Sequence, residues 1–445
     1  MKTIPKVILN KFKITYMKSF ILFLYFLESL PKYNTYYKEE FKMIKRKKIL
    51  SAIVATMVLT GALVGCGGSS SKESSAKELK VWSRLTEQEV AEIKPLAEKW
   101  GEENGVKVTI AIDKSKTQEA VQAINAGKGP DLMFGIPHDN IGLFEKAGLL
   151  DELPKDLVKD SDFSSKQVMD AVTVNGKRYA LPIAQETVAL FYNKDKAKEA
   201  PKTMEEVVKK GKDVGFKFDI NNFYNSYGFI AANGGYVFKD DKGTLDPNDI
   251  GLDNEGAIKG YQFIQDLVQK DKLMPADIKG DMAKGDFTNN KIGYYISGPW
   301  DVASFKEAGV NFGVATMPTL DGKKVPTFMG VQTAFVSAKS ENKDLAWKLG
   351  KYLLDNSEKV LLDKGNRIPV LKSALESKDF KDNKYMSAFA EQAKNATPMP
   401  NIPEVQAMWQ PAGANLILLT SGKITPQECG KLMDDQIKQG IEQQK

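Results

Sequence analysis

Leu79-Lys80-Val81-Trp82, then Thr86-Glu87-Gln88-Glu89, then Val90, Ile93, Leu96, Ala97 and Trp100 at helical spacing, read as a strand running into a helix opened by a capping box. Gly105 ends that helix. Val106 to Ile112 alternates as a second strand, a short helix runs to Gly127, and Asp131-Leu132-Met133-Phe134 is a third, mostly apolar, strand. Strands separated by helices imply parallel pairing through right-handed crossovers, so the chain opens a doubly wound α/β sheet.

Later segments keep to this pattern. Val172-Thr173-Val174-Asn175-Gly176-Lys177-Arg178-Tyr179 predicts a hairpin turning at Asn-Gly. Thr203 with Glu206 predicts another capping box, and Ala257 to Gln269, Lys343 to Leu354 and the tail from Thr425 predict further amphipathic helices. Asp240-Asp241-Lys242-Gly243 with Asp246 and Asp249 has a faint likeness to a calcium loop, but it lacks the alternating ligands ending in glutamate. A solvated hairpin is the reading there.

Upstream, Lys45-Arg46-Lys47-Lys48 precedes 16 apolar residues from Ile49 to Val64, and Leu63-Val64-Gly65-Cys66 follows. A basic start, a short apolar core and small residues before the cut make a secretory signal over 43–65, and Cys66 resembles the lipidated cysteine of a bacterial lipobox. A diacylglycerol there would supply two acyl chains, the number that gives stable attachment. The alternative, a membrane-spanning helix, needs roughly 20 apolar residues. Residues 1–42 fit neither reading and are expected to be a mis-called upstream extension. Residues 66–78, rich in Ser and Gly, behave as a flexible spacer, and folding is expected to begin at Leu79. The expected location is the extracellular face of the cell membrane.

Residues 1–65 hold twelve Lys and Arg against three Glu, so removing them takes the formal charge from +6 to −3. Nothing basic remains to bind nucleic acid. With two cysteines, one of them Cys66, Cys429 has no disulfide partner, and the single histidine, His138, makes a zinc or copper site improbable. No metal, cofactor or nucleotide is expected. About 365 residues remain beyond the spacer, enough for two lobes.

A series of runs, in order, resembles the maltose and maltodextrin-binding proteins, receptors that serve bacterial ABC importers. They are Gly129-Pro130-Asp131, Ala147-Gly148-Leu149-Leu150, Tyr179-Ala180-Leu181-Pro182-Ile183-Ala184, Tyr192-Asn193-Lys194-Asp195 and Pro201-Lys202-Thr203. Ala231-Ala232-Asn233-Gly234-Gly235-Tyr236, Ser297-Gly298-Pro299-Trp300 and Met399-Pro400-Asn401-Ile402-Pro403 complete the series. The resemblance implies a two-lobed periplasmic-binding-protein fold, each lobe a mostly parallel sheet flanked by helices. Lobe 1 would hold about 79–184 and 334–380, lobe 2 about 187–330 and 384–445, with several chain crossings at the hinge. It also implies a monomer that closes on an oligosaccharide of the maltodextrin class and hands it to permease subunits.

A pyranose shows apolar C–H faces and a rim of hydroxyls, so its site needs flat rings and charged or amide acceptors. The resemblance matches Trp300, Trp409 and Tyr224 to stacking rings, and Asp139 and Glu186 to carboxylates that accept from hydroxyls. His138 is expected to be a structural neighbour. The chain also departs from the pattern. Ser83-Arg84-Leu85-Thr86-Glu87 lacks an Asn-Gly-Asp-Lys loop, Gly135-Ile136 stands where a tryptophan is expected, and Gln410 and Gly413 replace an aromatic and an arginine. Arg84, Glu87 and Arg367 could supply replacement contacts, or could equally be surface charges.

Two other classes compete. Asp139 and Glu186 could be the acid and base of a glycoside hydrolase, which needs one carboxyl kept protonated by desolvation. Loop acids in a hydroxyl-rich cleft are instead expected to stay ionised. No Gly-x-Ser-x-Gly elbow or phosphate loop is present. A polysaccharide-binding adhesin of the same fold is the other alternative.

Overall fold

A computed structural model describes residues 77–444, 242 and 243 excepted. The signal-like stretch, Cys66, the upstream extension and all of the spacer but its last two residues lie outside the described residues. Strand β1 (Lys77–Ser83) begins two residues before Leu79, because Lys77 and Glu78 already pair with Val106 and Lys107 of β2 (Val106–Ile112). The helix Glu87–Asn104 between them carries the expected capping box: Thr86 accepts from the Glu89 backbone and Glu89 accepts from that of Thr86. Gly105 closes the helix at φ 66°, where a side chain would be strained.

The remaining strands are β3 (Leu132–Pro137), β4 (Thr173–Val174), β5 (Lys177–Arg178), β6 (Leu181–Thr187), β7 (Ala189–Asn193), β8 (Phe216–Lys217), β9 (Lys239–Asp241), β10 (Thr244–Asp246), β11 (Tyr294–Ser297), β12 (Phe312–Ala315), β13 (Phe328–Val336) and β14 (Thr397–Pro398). The Asn175-Gly176 hairpin forms, with both residues at positive φ. β9 and β10 form the solvated hairpin. The Thr203 cap is half a box: Thr203 accepts from the Glu206 backbone, but the Glu206 carboxylate accepts from the backbone of Lys202.

One sheet has the order β14-β13-β3-β1-β2, with β6 also on β13. The other has the order β12-β7-β11-β8. The expectation of a mostly parallel sheet in each lobe needs correction. In the first sheet β1, β2 and β3 pair in parallel while β13 runs antiparallel to β3 and β6. In the second, β7 is antiparallel to both β11 and β12, and only β8 and β11 are parallel. The crossover rule governs strands joined by a helix over one sheet. β7 instead follows β6 after Val188 alone and arrives from the other sheet.

Two hydrophobic cores result. Leu79 through Ala184 with Met329 through Leu361 supply most of one, and Val188 through Phe328 with Met386 through Ile437 supply most of the other. The chain passes between them at Thr187–Val188 and again at Phe328–Met329. Leu362 and Ile368 pack with the second core although Leu361 and Val370 belong to the first. The segment 361–370 therefore lies along the junction. Cys429 is a fully buried apolar filler whose thiol burial pushes up to about 12.

Candidate functional site

At the junction, β3 delivers a short turn, His138–Asn140, whose three side chains are all buried. His138 bridges two backbones: its Nδ1 accepts from the N–H of Val331 at 3.0 Å, which leaves Nε2–H to donate to the carbonyl of Met399 at 2.9 Å. Burial holds its pKa down to about 4, so the ring is neutral and its role is structural.

Asp139 follows. The Asn140 amide donates to its Oδ1 at 2.9 Å, and Trp409 donates to the same carboxyl group. Burial, reinforced by the nearby Glu186 charge, pushes Asp139 up to about 7, and those hydrogen bonds only partly oppose the shift. Asp139 therefore holds its proton to a higher pH than the fully ionised loop acid expected here, because the turn is packed away from water rather than exposed on a loop.

Glu186 lies on β6 directly opposite Gly330 of β13. A Cβ at Gly330 would sit 2.9 Å from Glu186 Cγ, so only glycine lets that side chain lie across the strand. Arg367 donates to Glu186 Oε2 through Nη1, and to Glu89 through Nε at 2.6 Å and Nη2 at 3.1 Å. The Gln332 amide donates to Glu186 Oε1 at 3.0 Å. Two carboxylates thus share one guanidinium in a region from which water is nearly excluded.

The rings come from the second core's elements. Tyr224 sits in the first turn of the helix Phe223–Ala231, capped by Asn222, and its hydroxyl donates to the Glu186 carbonyl at 3.5 Å. Trp300 stands on the turn Pro299–Asp301, where Asp301 is held by Tyr295 at 2.9 Å, Ser297 at 2.7 Å and Lys284 at 2.8 Å. Its ring folds back so closely over Gly298 that a Cβ there would fall 2.1 Å from it. Trp409 opens the helix Trp409–Thr420. Ring centroids lie 6.3 Å apart for Tyr224–Trp300, 6.0 Å for Tyr224–Phe328 and 6.1 Å for Phe328–Trp409. Phe328, at the crossing point of β13, joins Tyr224 to Trp409, and Tyr224 links Trp300 to them.

Six of the eight candidate residues therefore form one connected set: Asp139, Glu186, Tyr224, Trp300, Trp409 and Arg367. The other two are placed elsewhere. Arg84 spends its guanidinium on Asp113 at 2.8 Å, and its second bond, to Thr117 at 3.0 Å, reaches Asp139 only through Asn140. Glu87 pairs with Lys114 at 2.7 Å and is largely solvent-exposed. Where a tryptophan was expected, Gly135 takes φ 89° and Leu85 packs over it, 2.3 Å from where a Cβ would be. Sequence reasoning passed over Glu89, Phe328 and Gln332. Glu89 registered only as a cap, and no local pattern marks the other two.

The model of the family described as bacterial extracellular solute-binding protein matches residues 95–388. The chain belongs to that family. Members are non-catalytic receptors. The galactooligosaccharide-binding protein of Bacillus subtilis (strain 168) is 35% identical over 407 residues, covering 86% of this chain and 95% of that one. A maltooligosaccharide ABC transporter solute-binding lipoprotein of Streptococcus pneumoniae (strain ATCC BAA-255 / R6) is 32% identical over 411 residues, covering 86% and 94%. Among solved structures, the maltose-maltodextrin binding protein of Alicyclobacillus acidocaldarius superposes with a TM-score of 0.78 at 38% identity, over 81% of this chain and 100% of that one. The α/β periplasmic-binding-protein fold with mixed sheets is thus shared.

Proposed function

We propose that this solute-binding protein is a lipid-anchored receptor that captures a maltodextrin-like oligosaccharide between its lobes and presents it to the permease subunits of an ABC importer. The observation that carries the reading is the chain of ring contacts from Trp300 to Tyr224, to Phe328 and to Trp409, beside Asp139 and Glu186. Rings suit the apolar faces of glucose units, and carboxylates suit the hydroxyl rim. Val188 and Phe328, at two of the crossings, belong to the hinge, and closure on sugar is the signal the permease would read. Cys66 would tether the receptor outside the cell through residues 66–76.

The galactooligosaccharide-binding relative supports a second reading, a galactose-containing oligomer, because Gly135 and Gln410 remove rings expected for glucose polymers. Calorimetric titration with maltose, maltotriose, maltotetraose and a galacto-oligosaccharide separates the two. Binding confined to the galacto-oligosaccharide would remove the maltodextrin assignment and leave the receptor reading intact. Incubation with maltotriose should release no glucose.

A further inference from the structure

Gln332 is 5% exposed, and its amide nitrogen is used by Glu186, yet its Oε1 is buried with no hydrogen-bond partner among the described residues. A buried amide oxygen left unpaired is unfavourable by about 1–3 kcal/mol, so its retention wants a reason. Flipping the amide would not relieve it, because the oxygen would then face the Glu186 carboxylate. The orientation is dictated from farther away. Glu89 holds Arg367, Arg367 holds Glu186 Oε2, and Glu186 Oε1 holds the Gln332 nitrogen, which leaves the oxygen as the open end of the chain.

The strand register places that end. In β13, Gln332 pairs with Pro137 on one side, two residues before Asp139, and with Ala184 on the other, two residues before Glu186. It therefore stands between the two buried acids at the hinge. Both of those acids accept hydrogen bonds when ionised, and an amide oxygen is a third acceptor of fixed direction.

We propose that Gln332 is a specificity-determining residue whose Oε1 accepts a hydrogen bond from one hydroxyl of the bound sugar. This rests on the oligosaccharide-receptor reading and adds to it a residue outside the eight candidates. A site built to accept from a hydroxyl discriminates strongly against an analogue lacking it.

The test uses the full-length protein and, as probe, the tightest-binding member of a panel of maltose, maltotriose and a galacto-oligosaccharide, together with its monodeoxy derivatives. Wild type should lose about tenfold in affinity for one derivative, and Gln332→Met, close in shape but without the acceptor, should lose about tenfold for the parent sugar. In Gln332→Met that one derivative should bind as well as the parent. Equal affinity of wild type and Gln332→Met for the parent overturns the proposal while sparing the receptor reading. So does a wild type indifferent to every deoxy position, a measurement that needs no variant to fold. Binding of no sugar in the panel overturns both.

Discussion

Arg367 and Glu186 are an ion pair with side chains only 7% and 11% exposed, and the pair sits where the segment 361–370 runs along the junction of the two cores. Taking two charges out of water is expensive, and the arrangement persists because Glu89 adds two further hydrogen bonds on the same guanidinium. Glu89 does double duty, since its carboxylate also closes the capping box with Thr86.

Arg367→Met should therefore do more than break a bridge, because it strands Glu89 and Glu186 as uncompensated buried charges. The expected loss is roughly 3–5 kcal/mol of unfolding free energy, measured by urea denaturation. Arg367→Lys keeps the charge but cannot serve both acids as a fork, so its loss should be intermediate. A stability equal to wild type for Arg367→Met would show that the triad is hydrated in solution.

Trp409→Ala removes a ring from the cluster and a donor from Asp139, and sugar affinity should fall by about 2 kcal/mol or more, some thirtyfold. Trp409→Phe keeps the ring and loses the N–H. Because that bond favours the ionised carboxylate, Asp139 should titrate still higher in Trp409→Phe, which side-chain NMR can follow.

Asp139 has a folded pKa raised to about 7 against an unfolded value near 3.9, so the folded state keeps a proton that the unfolded state gives up. Its stabilising proton is fully present below about pH 4 and is lost as pH rises to about 7. His138, lowered to about 4, works in the opposite sense from about pH 4 to 6.5, as the unfolded state binds the proton there. The two offset each other in wild type. Asp139→Asn should leave the His138 slope exposed, with stability rising between pH 4 and 6.5 by more than in wild type in paired urea titrations. Parallel pH curves for the two proteins would contradict the burial of Asp139.

Cys66→Ser should release the receptor from the membrane fraction and abolish incorporation of labelled fatty acid, while leaving sugar binding by the purified protein unchanged. Retention in the membrane would favour a spanning helix at Ile49 to Val64.

Much of the scaffold was legible because its signals are local. The Thr86–Glu89 box, the Gly105 stop and the Asn175-Gly176 turn each depend on residues within a few positions of one another, and each formed where the chain's pattern indicated. The rings and acids of the candidate site were recognisable through motif context. Arg84, Glu87 and Arg367 were not distinguishable from one another, since a charge carries no mark of whether it will be buried.

By itself, then, the sequence determined an α/β architecture, the ends of its principal helices, and which aromatic and acidic residues could form a sugar site. Only the tertiary structure decided that β7 pairs antiparallel and that Asp139 is held near neutrality. It also decided that Arg367, not Arg84 or Glu87, joins the candidate set through Glu186, and that the Gln332 amide oxygen is left unpaired. The physical reason is sequence distance. Arg367 reaches Glu89 across 278 positions and Gln332 reaches Glu186 across 146, so these contacts exist only once β13 has returned to lie against β3 and β6.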